Sequence, residues 1–146
     1  MITDFHAGRV IGEQEFRTTM GRFASGLTVV ASLDSAGEPA GRGSASWNRI
    51  EPTGRFGVSI LAEEQQEVCA ALGRRGADKF AGVSWQASAF GTVRIDGALA
   101  TIDCRIESIR SAGDHVVVIG EVADLAVRED GEPLLYFRSS YGRAAR

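Results

Sequence analysis

Three short clusters hold the residue types best suited to chemistry. Gly113-Asp114-His115 is a turn that delivers an imidazole to the start of a strand. Such a group either borders a cleft or sits solvated on an ordinary hairpin. Ser44-Ala45-Ser46-Trp47 combines hydroxyls with an indole, which suits either the wall of a polar-aromatic cleft or a strand end packed on the core. Asp78-Lys79-Phe80 pairs a cation with an aromatic ring, which suits either a phosphate contact or a surface charge pair beside a core phenylalanine. Taken singly, none of the three outweighs its plainer reading.

Spacing excludes several familiar chemistries. The chain has no P-loop, GxGxxG or GxSxG pattern. With His6 and His115 as its two histidines, a multi-histidine metal site has too few ligands. Cys69 and Cys104 lack CxxC partners and read as core thiols in a reducing compartment. The 15 arginines and single lysine are scattered among acidic residues at a net charge of -3, so no basic stripe for nucleic acid forms. Guanidinium groups still suit the phosphate of a nucleotide.

The elements that must position these residues are mainly β. At 146 residues the chain fits one domain, 1–146, with 1–12 as a flexible leading segment. No apolar run approaches a membrane span and no export leader is evident, so the expected location is cytoplasmic. Phe16, Met20 and Phe23 form an apolar helical stripe within Glu13 to Ala24, expected to pack on a sheet. Leu27 to Val30, a turn over Asp34 to Pro39 and a return from Ala40 to Trp47 read as a hairpin. Phe56 to Leu61 is a further strand, Glu63 to Leu72 a short helix, and Arg74 to Asp78 a polar connection. Two long strands, Ala98 to Ile109 and His115 to Val127, precede a shorter one over Pro133 to Arg138. Long strands, short turns and few helices indicate an antiparallel β-barrel with one or two peripheral helices.

The order of the motifs is more informative than any one of them. Phe16-Arg17 through Met20-Gly21-Arg22-Phe23-Ala24-Ser25-Gly26-Leu27-Thr28-Val29-Val30 resembles the opening of the short-chain flavin reductases, the reductase components of two-component flavin monooxygenases. Phe56 to Ala62 with Gln65, Asp78 to Val83, Asp96 to Ala100 with Cys104, Gly113-Asp114-His115 with Gly120-Glu121-Val122, and Pro133 to Tyr136 with Tyr141 follow in the family's order. The resemblance implies an FMN-binding split barrel. It also shows a departure: after Gly41 to Trp47 the family continues through a Ser-Val-Ser-x-x-Pro-Pro segment and another strand, whereas this chain reaches Gly54 almost directly. On the order of 20 residues, about one strand with its turns, is missing.

The resemblance implies an NAD(P)H-dependent flavin reductase that supplies reduced FMN or FAD to a partner monooxygenase. Ser44, Ala45, Ser46 and Trp47 would line the flavin, and Lys79 and Phe80 would contact its phosphate side or flank the ring. His115 and Tyr141 would border the nicotinamide of NADH or NADPH, with His115 in the cleft as a positioning group. A shortened cradle implies weakly held flavin. A lost strand leaves two exposed edges, which a homodimer would cover. The alternative is a reductase-inactive relative, repurposed as a ligand-binding module or for another, including a biosynthetic, reaction.

Overall fold

The computed structural model describes residues 9–41, 44–74 and 78–145, with the side chains of Ser44 and Ala45 outside that set. Most of the segment expected to be flexible, 1–8, and the 75–77 part of the polar connection lie outside the described residues.

The central element is a five-stranded antiparallel sheet in the order β3-β2-β4-β7-β8, formed by β2 (Thr28–Leu33), β3 (Pro39–Gly41), β4 (Arg55–Ile60), β7 (Ala100–Ala112) and β8 (His115–Val127). Period-two alternation gives its two faces different tasks. Val29 with Ser59, and Ala31 with Gly57 and Asp103, lie in register on one face. The core forms there, from Val29, Ala31, Leu61, Cys69, Leu72, Phe80, Val83, Val93, Ile95 and Leu134. A short hairpin of β5 (Trp85–Ala87) and β6 (Val93–Ile95) crosses this face. Gly57 permits that approach, because a Cβ there would stand 2.9 Å from the Thr92 side chain.

The opposite face carries the rows Val30-Val58-Ile102-Leu125 and Phe56-Cys104-Val122. Among the described residues no comparable layer covers its β8 end, where Val122, Leu125 and Val127 are exposed. A second sheet in the order β1-β9-β10, from β1 (Ser25–Gly26), β9 (Leu134–Phe137) and β10 (Ser140–Arg143), completes a mainly β split-barrel fold.

Both long strands form as expected. Their turn is Gly113-Asp114, with Gly113 at φ 64° as in two-residue hairpins that place glycine first. The helix over Glu63 to Leu72 also forms, as a 3-10 turn (Glu63–Gln65) running into α3 (Gln66–Gly73).

Two expectations are corrected. The return strand stops at Gly41, and Ser44–Ile50 is a helix, α2. Trp47 and Ile50 stand three residues apart, so a helical turn sets both on one side: Ile50 is buried and Trp47 meets the Phe56 ring edge-on, centroids 6.3 Å apart. The first helix, α1 (Glu13–Met20), is shorter than expected because Gly21 caps it, and it buries no residue. Phe16, Met20 and Phe23 are exposed, Phe23 by 78%. Among the described residues no sheet packs over the stripe.

Asp34 fixes the β2–β3 turn and ties it to α2. Its carboxylate accepts the Ala36 and Glu38 N–H groups, both at 2.9 Å, and the Arg49 guanidinium at 2.6 and 3.0 Å. These donors, Arg49 foremost, hold its pKa below the ordinary 3.8. A carboxyl depressed on folding contributes stability above its unfolded pKa and loses it as pH falls through the folded value. Asp34→Asn is therefore expected to lower the melting temperature at neutral pH and to change it little well below pH 3.8. Circular-dichroism melts across that range check this; an equal loss at both ends would assign the effect to turn geometry alone.

Candidate functional site

The sequence-expected residues do not gather in one place. His115 begins β8 at the hairpin tip, its ring Nδ1 2.5 Å from an Asp114 carboxylate oxygen, which holds Asp114 below the usual carboxylate range. The His115 side chain is 80% exposed, so within one chain the turn does not carry it into a cleft. A tight two-residue turn at the end of two 13-residue strands projects beyond the core rather than folding back over it. Phe80 is a core residue packed edge-on against Trp85, with Lys79 half-buried beside it. Ser46 and Trp47 are half-buried on α2, and the buried Trp47 Nε1 has no hydrogen-bond partner.

Tyr141 does line a cleft. Leu27, Cys69, Ala70, Arg74, Tyr136 and Tyr141 enclose about 340 Å3 between the end of α3 and the β1-β9-β10 sheet. β9 and β10 pair Tyr141 directly with Tyr136, and the rings meet edge-to-face, centroids 5.4 Å apart. The volume lies at the low end of the range for small-molecule sites, and an apolar floor with one guanidinium at the rim suits a planar ring bearing negative charge. Leu27 and Cys69 supply the floor and Arg74 the cation. Sequence reasoning missed Tyr136 and Arg74. The signal for Tyr136 was its position five residues before Tyr141 across a hairpin; Arg74 reaches the cleft only through the fold.

Cys104 is buried beside Phe56, and burial first, then the Asp103 charge, raises its thiol pKa. Among the described residues no group of three or more His, Cys, Asp or Glu is arranged to hold a metal ion, and no helix is long and apolar enough to cross a membrane.

The fold is thus a split barrel with an aromatic cleft at its second sheet. Comparison with known proteins then identifies the family: residues 40–145 match the flavin reductase like domain, and the chain belongs to that family. It is 38% identical to the reductase subunit of a flavin-dependent monooxygenase from Rhodococcus jostii, over 92% of this chain and 80% of that one. It is also 30% identical to an actinorhodin polyketide dimerase from Streptomyces coelicolor, over 82% and 80% of the two chains. The crystal structure of nitrilotriacetate monooxygenase component B from Mycobacterium thermoresistibile superposes with a TM-score of 0.85 at 36% identity, covering 91% of this chain and 87% of the other.

The Rhodococcus alignment has 156 positions, whereas 92% of 146 residues enters it, which leaves on the order of 20 positions without a counterpart here, enough for one strand and its turns. The fold is consistent with such a loss, because the five-stranded sheet ends at β3 on one side and β8 on the other. A strand following Gly41 would pair with the free edge of β3. Residues 44–47 lie on α2 rather than on the expected return strand.

Proposed function

We propose that the protein is an NAD(P)H-dependent flavin reductase, a cytoplasmic homodimer supplying reduced FMN or FAD to a flavin-dependent monooxygenase. The 38% identity with a monooxygenase reductase subunit across nearly the whole chain carries this reading. A flavin held by the chain would supply the redox chemistry, accepting hydride from the nicotinamide nucleotide. The chain's own residues position the rings and exclude water. Tyr136 and Tyr141 offer aromatic surface, Leu27 and Cys69 close the floor, and Arg74 places a cation at the rim. Ser46, Trp47, Lys79 and Phe80 shape the fold around the site rather than lining this cleft; Ser44 and Ala45 keep their family-implied role toward the flavin. His115 serves the nicotinamide as a hydrogen-bonding group when its hairpin tip reaches the cleft of a second subunit. Hydride transfer needs no general base, so its role is positioning.

A second reading has its own support. The likeness to a polyketide dimerase and the missing strand both favour a family member turned to a biosynthetic reaction without reductase activity. Oxidation of NADH and NADPH, followed with FMN or FAD added, separates the two. Flavin-dependent oxidation by a protein that purifies colourless is expected, since each lost hydrogen bond to a charged phosphate removes roughly 1.5 to 3 kcal/mol of binding. Oxidation with neither flavin would overturn the reductase reading, and a tightly held yellow flavin would overturn weak retention. His115→Ala is expected to raise the KM for the nicotinamide nucleotide with kcat kept; an unchanged KM removes His115 from the site.

A further inference from the structure

Where the end of α1 meets the β9–β10 turn, Arg17, Arg22 and Arg138 line one hollow of about 150 Å3, with Thr18, Gly21 and Ser139. Arg17 is shared with Glu13 at 2.7 Å. Arg22 and Arg138 have no acidic partner among the described residues; Arg138 lies 5.0 Å from the centroid of the Phe137 ring. The turn is held in an uncommon form. Arg138 and Ser139 take φ of 51° and 61°, a left-handed conformation costly for residues with a Cβ, and the Arg138 N–H donates to the Gly21 carbonyl at 2.9 Å.

The plain explanation is that the arginines complement the negative end of the α1 dipole. That end amounts to roughly half an elementary charge, which one guanidinium already exceeds. Its carbonyls are also occupied: Arg17, Thr19 and Met20 accept the N–H groups of Gly21, Arg22 and Phe23. Arg22 and Arg138 therefore present positive charge beyond what the helix end takes up, which suits an anion from outside the chain.

The same residues continue into an apolar groove of about 430 Å3, where Phe16, Met20, Phe23 and Tyr136 join Arg17 and Arg138. Tyr136 also lines the Tyr141 cleft, so its ring borders both hollows. An aromatic track leading to a guanidinium cluster matches a planar ring joined to a phosphate.

We propose that Arg17, Arg22 and Arg138 bind the phosphate of a flavin nucleotide whose ring side extends past Tyr136 toward the Tyr141 cleft. The inference deepens the flavin-reductase reading and rests on it for the ligand's identity. It gives the chain a phosphate contact in place of those that went with the missing strand.

Fluorescence-quenching titrations with FMN and with riboflavin, which has the same ring and no phosphate, test it against Arg22→Gln/Arg138→Asn. Asparagine tolerates the left-handed turn, and neither arginine is buried, so the double variant keeps the fold. Wild-type protein is expected to bind FMN on the order of tenfold or more tightly than riboflavin, with a preference that shrinks as salt rises. The double variant should bring FMN down to the riboflavin affinity and leave riboflavin unchanged. Equal wild-type affinities, or a preference surviving in the variant, would overturn this site while NADH oxidation with added flavin left the reductase reading standing. Loss of FMN and riboflavin binding together in the variant would overturn it as well, by assigning the arginines a structural role. Neither flavin binding and neither being reduced by wild-type protein would overturn both.

Discussion

Asp103→Ala is expected to destabilise the fold by about 3 kcal/mol, a large share of the roughly 5 to 15 kcal/mol that holds a domain of this size together. Asp103 is 1% exposed on the core face of β7. One carboxylate oxygen accepts the Thr92 hydroxyl and the other accepts Arg94 at 2.5 Å. Thr92 is bound in turn to the Ser88 hydroxyl at 2.9 Å, so the network ties β7 to the β5–β6 hairpin that covers the core. Arg94 also reaches Asp124 on β8 at 3.1 Å, and these partners, Asp103 foremost, raise its pKa. Removing the carboxylate leaves a hydroxyl without its acceptor and a half-buried cation without its main partner. The cost falls at the low end for a broken buried pair because Arg94 keeps 28% exposure and the Asp124 contact. Urea midpoints at unchanged m-value measure it. Arg94→Met in the Asp103→Ala background is expected to recover part of the loss, since it removes the stranded charge. A loss under about 1 kcal/mol would show that the network is replaceable by water.

The long strands were legible from their length and from the turn over Ser111 to Asp114 that joins His115 to Val127 with Ala98 to Ile109. The helix over Ser44–Ile50 was not legible in the same way. It follows a strand and holds too few apolar positions for a helical period to stand out, and only the fold shows Trp47 and Ile50 turned to one side. Its misreading placed Ser44 to Trp47 on a return strand instead of a helix. The candidate site was less legible still. Arg22 and Arg138 are more than a hundred residues apart, and a hollow shared between a helix end and a hairpin turn leaves no spacing signature. The same holds for Thr92, Arg94 and Asp103, whose hydrogen bonds depend on how a hairpin crosses the sheet. What transferred was the order of motifs, which fixes topology. What did not was the part of the site that topology brings together from distant positions.

The uncovered sheet face leads to the second large effect, on assembly. Val122 and Leu125 end two apolar rows that cross the sheet, and Val127 beside them is 77% exposed. The outer edge of β8 presents unpaired backbone groups along a 13-residue strand without proline. A long, exposed apolar edge strand is an aggregation hazard unless something covers it. In the proposed homodimer a second copy of the chain would cover both the edge and the face. Val122→Asp/Leu125→Asp is then expected to raise the dimer dissociation constant by on the order of a hundredfold or more, because each buried aliphatic side chain contributes roughly 1.5 to 3 kcal/mol. Both side chains are exposed in the single chain, so the substitutions leave the core on the opposite face intact and circular dichroism should be unchanged. Light scattering over a dilution series reads the outcome. Wild-type protein that stays a monodisperse monomer at micromolar concentration would sink the dimer. His115 would then stay at its exposed hairpin tip, outside any shared cleft, and the catalytic surface would have to be completed within one chain, along Tyr136, Tyr141 and the arginines beyond them.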